Sequence, residues 1–446
     1  MNLNSSILLP VRKFLKQIGL SLFLYQLFLE NSKTLEVWAC AWRYRKLRKL
    51  ARCKPKGDKI RVLFIVSEIA KWKEQTLYEA MESSGDFYPI VGISAWNNQS
   101  AKHLTAHEYE LVQMRAEVFF DKMGDRHVRT VTIENGEWVY HDLSEFKPDI
   151  VFYTEQWSPC PKQHPYDVSK YALTCFLPYY VPDFGFPQID CHSEVSRMAW
   201  TFFCLGKSWV WRYRRSMLHV SYAAKYVVTG HPALDKFHYG RTRVPQEGYV
   251  IYAPHFSFPQ AVTWDRYCIG TFDWSGIPML EYAEAHPDVK WVYKPHPVLR
   301  RKVIESGFMT EEEFARYNER WARIALVSTD SDYQELFLES RVLITDCGSF
   351  LPEYGSTLRP VIRLRCSQDK IVPPKSAKRI YDAYYNAHNL EELYAMLKLV
   401  VEDGQDPNRD TRVNAVHRAK LADEDASESI VKYLLNAFGR EQVALI

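Results

Sequence analysis

Short β-branched runs alternate with longer amphipathic stretches from Lys59 to Arg365, and this alternation limits the fold more than any other feature. Such an order buries its apolar faces best as a parallel sheet covered by helices, so a doubly wound α/β fold is expected. KIRVLFIVS (Lys59–Ser67), FYPIVGIS (Phe87–Ser94), PDIVFYTE (Pro148–Glu155) and YALTCFLPYY (Tyr171–Tyr180) read as strands, with KWKEQTLYEAMESS and HEYELVQMRAE as helices among them. KYVVTGHPALD ends this series at Asp235, and RTRVPQEG (Arg241–Gly248) has the Pro, Gly and charge content of a linker.

A second series follows. YVIYAP, VKWVYKPHP, IALVS, RVLIT and PVIRLR alternate with helical stretches such as DYQELFLES, and the tail after Asn389 reads as helical. A chain of 446 residues with 47% hydrophobic and 25% charged residues is too long for one core and too apolar for disorder. The expectation is a helical segment over 1–57, a first Rossmann-like domain over 58–240 and a second, with C-terminal helices, over 241–446.

A net charge of +3 from 57 basic and 54 acidic residues gives no reason to expect a nucleic-acid partner. Nine cysteines without a CxxC pair, and an N-terminus without a small-residue cleavage site, point to a cytoplasmic protein with no disulfides and no structural zinc. The apolar segment Ile18–Leu29 falls short of the roughly 20 residues needed to span a bilayer. Basic clusters flank it, at Arg12, Lys13 and Lys16 and again over Arg43–Lys56. This pattern suits a peripheral helix over residues 12–56 on the inner face of a membrane, and equally a helix packed on the body of the protein.

In open α/β sheets the ligand lies at the carboxyl ends of the strands. Three strand ends of the second series carry polar loops: PHFSF with His255, KPHP with Lys294 and His296, and TDCGSFLPE with Thr345, Gly348, Ser349 and Glu353. The last leaves a strand through Asp-Cys-Gly-Ser into a helix start, where unpaired backbone N–H groups favour an anion, with Gly348 permitting close approach and Ser349 placed to cap or to donate. GxGxxG, GxSxG, HExxH and Walker A words are absent, as is an Asp-x-Asp word at a strand end, and no resident cofactor is expected, with a divalent ion left open. TDSD (Thr329–Asp332) reads as the cap of the helix after it, through Ser331 or Asp332.

The series TGHPALD, VIYAPHF, VYKPHP and DSDYQELFLESRVLITDCGSFLPEYGSTLRPVI resembles, over residues 225–365, the CDP-glycerol glycerophosphotransferase family of teichoic-acid and capsule polymerases. That family shows a TGxPRxD word, a YAPT strand end, an RxHP loop, a TDYSS turn and a KPxI strand. The resemblance implies a GT-B fold, two Rossmann-like domains facing a cleft, with an N-terminal acceptor domain and a C-terminal nucleotide domain. It implies that His296 and Ser349 contact the diphosphate of a CDP-activated donor, that Thr345 and Gly348 shape the turn, and that Glu353 meets a ribose. His255 and Lys294 join the diphosphate set by their strand-end positions.

The acceptor half departs from the family. Where the polymerases carry WHGTPLK with its histidine base, this chain has LPYYVPDFGF, and Tyr179 stands in the histidine's place. A phenol with a pKa near 10 is a poor base at neutral pH, so Asp183, His192 and Glu155 are the candidate bases. Trp72, at the first strand-to-helix turn, is the candidate acceptor contact among the 13 Trp. The expected activity is transfer of glycerol- or ribitol-phosphate from a CDP-linked donor to a cell-surface glycan or lipid-linked acceptor. A GT-B nucleotide-sugar glycosyltransferase or epimerase, and a non-catalytic binding partner in capsule assembly, are the alternatives.

Overall fold

The computed structural model describes residues 31–440 except 32, 96–104, 158, 182–190, 219, 238–244, 246, 258–268, 329–332, 368–374 and 420–424. The apolar segment Ile18–Leu29 therefore lies outside the described residues, as does Asp183. Among the described residues no helix is long and apolar enough to cross a membrane.

The first domain holds a seven-stranded sheet in the order β3-β2-β1-β6-β7-β8-β9. Its strands are β1 (Ile60–Val66), β2 (Phe87–Ile93), β3 (His127–Arg129), β6 (Ile150–Tyr153), β7 (Leu173–Phe176), β8 (Thr201–Cys204) and β9 (Lys225–Val228). A side hairpin pairs β4 (Val131–Glu134) with β5 (Glu137–Tyr140). The second sheet runs β12-β11-β10-β13-β14-β15. Its members are β10 (Tyr249–Ala253), β11 (Trp291–Tyr293), β12 (Ala325–Val327), β13 (Ser340–Thr345), β14 (Val361–Leu364) and β15 (Tyr385–Ala387). Neighbouring strands within both large sheets are parallel. The central strands are buried on both faces, which is why β6, β7 and β13 read as continuous apolar runs instead of alternating ones.

Helices that frame the site are α1 (Thr34–Arg52), α2 (Gln75–Ser83), α3 (Ala106–Met123), α4 (Lys207–Ser216), α5 (Phe272–Ala285), α6 (Glu311–Ile324), α7 (Gln334–Glu339), α8 (Phe350–Gly355) and α9 (Ala426–Ala437). Good capping explains several starts: Thr105 and Thr310 each form a reciprocal capping box with the glutamate three residues on, at α3 and α6.

Two helices at the ends of the described chain pack on the first domain. Helix α1 is docked on the first domain and is not a separate segment. Val37, Cys40 and Tyr44 are buried, and the Tyr44 hydroxyl bonds Thr174 Oγ1 at 2.6 Å and the Met198 carbonyl at 2.8 Å. Its opposite face leaves Trp38 60% and Trp42 66% exposed. The last helix, α9, also returns to the first domain, where Ile430, Leu434 and Leu435 share a core with Ile60, Val62 and Leu77. Asp235 fixes this return by accepting the N–H groups of Ala426 (2.9 Å) and Ser427 (3.0 Å) and the Ser427 hydroxyl at the start of α9.

Candidate active site at the domain seam

Hydrogen bonds lace together the three polar strand ends of the second domain. Thr345, at the end of β13, donates its hydroxyl to the Ala253 carbonyl (2.6 Å) at the end of β10 and accepts the Cys347 N–H (2.9 Å). Asp346 follows, buried, and accepts the N–H groups of His255 and Thr271, both at 2.6 Å, and the Thr271 hydroxyl at 2.9 Å. One carboxylate thereby joins the loops after β10 and β13 to the start of α5; burial lifts its pKa to about 6. The loop after β11 closes in through the His296 N–H, which donates to the Pro254 carbonyl at 3.1 Å.

The two imidazoles of these loops lie 5.6 Å apart, centroid to centroid. Each accepts the N–H of the residue two positions on, at Nδ1: Ser257 for His255 and Val298 for His296, both at 3.1 Å. This fixes the tautomer with the proton on Nε2. Burial, with the other imidazole nearby, draws His255 down to about 3, and burial, with Lys294 nearby, draws His296 down to about 4. At neutral pH both are uncharged N–H donors.

Gly348 is buried in the turn and Ser349 is half-buried. Ser349 occupies the N-cap of α8 with a helical backbone (φ −66°, ψ −27°) and makes no capping bond; its hydroxyl lies 3.3 Å from Cys347 Sγ. Glu353, one turn on, is 1% exposed and accepts the Tyr333 hydroxyl at 2.7 Å. Burial raises its pKa, against the opposing pull of Lys73 and of the Tyr333 hydroxyl. Tyr333 is itself the N-cap of α7 and gives that helix no side-chain cap, while TDSD lies outside the described residues.

The first domain brings its own polar cluster to the carboxyl ends of β1 and β6. Glu155 accepts Lys71 Nζ at 2.7 Å on one oxygen and the Ser67 hydroxyl on the other. Both carboxylate oxygens are thus engaged, one of them in an ion pair. Lys71 Nζ also lies 5.6 Å from the centroid of the Tyr179 ring, whose backbone N–H donates to the Thr154 carbonyl at 2.8 Å. His231 of the TGHP word binds the LPYY loop, donating Nε2–H to the Pro178 carbonyl at 2.6 Å and accepting the Ala233 N–H at Nδ1.

Two predicted site residues stand apart from this cluster. Trp72 is a core residue, 6% exposed and edge-on to Phe64 and Phe120, with its indole N–H on Gln75 Oε1 at 2.7 Å. The ring turns inward because aromatic neighbours from β1 and α3 enclose it. His192 precedes β8 and bonds the carbonyl of Ser216, the last residue of α4, at 3.0 Å. Since α4 follows β8 and runs back along the sheet, His192 lies toward the amino ends of the strands, opposite the seam.

The structure adds residues that sequence reasoning passed over. Lys73 reaches from the loop after β1 to the face of Tyr333, with Nζ 4.1 Å from the ring centroid, and Lys294 lies 5.6 Å from the same centroid. Glu74 is fully buried; Oε2 accepts the Lys73 N–H at 2.9 Å and Oε1 has no hydrogen-bond partner. Burial lifts Glu74 to about 8, so it is mainly protonated at neutral pH. The available signal was the word KWKE directly after the first strand, in which an inward Trp is bracketed by two lysines. Among the described residues no group of three or more His, Cys, Asp or Glu side chains is placed to hold a metal ion.

No protein-family model matches the chain, and no curated protein matches it in sequence. Its shape does have counterparts. A variant of the wall teichoic acid polymerase TagF superposes with a TM-score of 0.53 at 13% identity, covering 94% of this chain and 98% of that one. The fold is GT-B. A UDP-GlcNAc 2-epimerase from Neisseria meningitidis bound to UDP-GlcNAc gives 0.51 at 12% identity, over 85% of this chain and 100% of the other. A further UDP-N-acetylglucosamine 2-epimerase gives 0.50 at 14% identity, over 86% and 98%. In GT-B terms, the laced loops after β10, β11 and β13 lie on the C-terminal domain, and Lys73 meets that domain at Tyr333 from the N-terminal domain.

Proposed function

We propose that this chain is a transferase that moves a polyol-phosphate, glycerol- or ribitol-phosphate, from a CDP-activated donor to a cell-surface glycan or lipid-linked acceptor. The observation that carries this reading is the convergence of the three words behind the resemblance, through His255, His296 and Asp346, at the carboxyl edge of one parallel sheet. In a GT-B fold with TagF among its structural counterparts, that edge is where the donor belongs.

In this reading the Nε2–H groups of His255 and His296 donate to the donor's phosphate oxygens, and the Lys294 ammonium opposes the charge that develops on the leaving CMP. Ser349 Oγ and the Gly348 turn complete the phosphate contacts, and Glu353 takes the ribose. The acceptor hydroxyl must lose a proton. Glu155, with its Lys71 partner, binds and orients the acceptor beside Tyr179, which leaves Asp183 as the base. The exposed Trp38 and Trp42 face of α1, continued by Arg45, Lys46 and Lys49, rests on the inner membrane surface that carries the acceptor.

The test is a calorimetric panel of CDP, CMP, UDP, ADP, CDP-glycerol and CDP-ribitol on wild type, His296→Ala and Ser349→Ala. Selective binding of cytidine diphosphates, weakened about 10-fold or more in both variants, is expected from loss of one charge-assisted hydrogen bond. Preference for UDP moves the protein to the nucleotide-sugar glycosyltransferases or epimerases.

A further inference from the structure

Helix α4 is held to the first sheet by one face. Trp209 and Tyr213 are buried, and the Tyr213 ring stacks on Phe202 of β8 and Tyr226 of β9, at 4.9 and 5.8 Å between centroids. The other face repeats at helical spacing, with Lys207, Trp211, Arg214, Arg215 and, just past the last turn, Leu218 all exposed. Trp211 is 63% exposed; Leu218, at 83%, is the most exposed large apolar side chain among the described residues. The Arg215 guanidinium lies 5.3 Å from the Trp211 ring centroid. From Lys207 to Lys225 the chain holds five Lys and Arg and no Asp or Glu. Among the described residues none of Lys207, Arg214 and Arg215 is ion-paired.

The end of this face meets α1 at the amino edge of the sheet. Helix α1 runs along that edge: Lys54, just past its last turn, pairs with Asp149 ahead of β6 at 2.8 Å, and Tyr44 bonds the Met198 carbonyl ahead of β8. His192 bonds the carbonyl of Ser216 at the end of α4, and two residues on Glu194 pairs with Lys33 at the start of α1, at 3.4 Å. The loop after α4 is tied to the same place, where the Ser221 carbonyl accepts Arg197 Nε–H at 3.0 Å and Tyr222 stays 40% exposed. The cationic, aromatic side of α4 thus leads to the Trp38 and Trp42 side of α1.

We infer that the last turns of α4 and the loop after it, through Trp211, Arg214, Arg215 and Leu218, form a second contact with an anionic lipid surface. This rests on the membrane reading of α1 proposed above and adds a second element to it. The argument is charge complementarity joined to placement. The two apolar side chains stand on the same face as the cations, so the partner must present anions and an apolar layer over one plane, as a bilayer does. The guanidinium groups meet lipid phosphates, while the Trp211 ring and the Leu218 side chain enter the headgroup boundary. The buried Trp209 and Tyr213 keep the helix fixed on β8 and β9, so the face is formed before lipid arrives.

The experiment is sedimentation of the full chain with phosphatidylglycerol vesicles and with phosphatidylcholine vesicles. It compares wild type, Arg214→Gln with Arg215→Gln, Trp211→Ser with Leu218→Ser, and the α1 pair Trp38→Ser with Trp42→Ser, with thermal melting as the check that each is folded. Wild type is expected to prefer phosphatidylglycerol. Loss of two arginines at the surface is expected to weaken that partitioning about 10- to 30-fold, and the apolar α4 pair several-fold. If both folded α4 variants sediment as wild type does while the α1 pair falls, the α4 contact is overturned and the α1 reading stands. If wild type sediments with neither vesicle, the membrane reading fails and the α4 contact falls with it. Retention of wild type on immobilised polyglutamate, lost in the arginine variant and without vesicle binding, would assign the face to an acidic protein partner and overturn the inference.

Discussion

Tyr333→Phe isolates one bond at the centre of the seam. The ring that Lys73 and Lys294 approach is retained, and only the hydroxyl that donates to Glu353 at 2.7 Å is removed. Glu353 is 1% exposed, so water does not readily replace the donor. A hydrogen bond to a buried charged group contributes about 1.5–3 kcal/mol, and a loss near 2 kcal/mol is expected when Glu353 is ionised. Burial already raises the folded-state pKa of Glu353, and deleting the donor raises it further. The sign follows from which protonation state needs the bond. Above the raised pKa the carboxylate is charged and the variant suffers the full loss; as pH falls through it, both proteins hold a neutral acid and the difference shrinks toward the ~1 kcal/mol of a neutral bond. Urea unfolding of both proteins at a series of pH values measures this directly. A difference that stays below ~0.5 kcal/mol, or that does not narrow on acidification, would refute the assignment of Glu353 as a buried carboxylate held by Tyr333.

The remaining predictions concern charge, packing and the membrane face. Glu74→Gln should gain stability relative to wild type by ~1.4 kcal/mol per pH unit as pH rises from 6 toward 8, because the raised folded pKa of about 8 makes wild type lose stability across that window; parallel pH–urea titrations check it. Asp235→Ala, which removes the acceptor for two N–H groups and a hydroxyl at the start of α9, should destabilise by ~2–4 kcal/mol in urea and increase hydrogen exchange in α9 first. Gly355→Ala should cost ~1–3 kcal/mol, since its methyl would run into the Tyr384 hydroxyl that donates to Leu351; thermal melting should show partial rescue by Tyr384→Phe. Trp38→Ser with Trp42→Ser should reduce sedimentation with phosphatidylglycerol vesicles several-fold and leave nucleotide binding unchanged; equal sedimentation removes α1 as the membrane face.

What the sequence makes legible is what repeats locally. The apolar runs of β1, β2, β6, β10 and β13 are read within a residue or two because each is buried on both faces and carries its signal in every side chain. Five strands escape notice, two of them the side hairpin of β4 and β5. HVR (β3) and YNA (β15) pair at sheet edges with three residues each, and TFFC (β8) is four residues between two short helical pieces, too little for a period to show. The return of α9 to the first domain leaves no local trace, since its apolar stripe is the same whichever core it meets. The same limit governs the site. Loops that belong to one sheet, at His255, His296 and Thr345, can be placed together from strand order alone. Trp72 draws attention by its size and proves to be core, whereas Lys73 and Tyr333 gain meaning only across the seam, from chain positions that strand order within either sheet does not relate.

Three histidines at the seam share one local design. His231, His255 and His296 each accept a backbone N–H from two residues on, at Nδ1, and each is held well below the usual imidazole range by burial. A turn of this form gives a rigid donor of fixed tautomer and withholds charge, so none of the three neutralises a phosphate at neutral pH. In the proposed donor reading, the cation of the laced loops is Lys294, at the end of β11. The first domain brings Lys73 to Tyr333 and keeps Lys71 paired with Glu155.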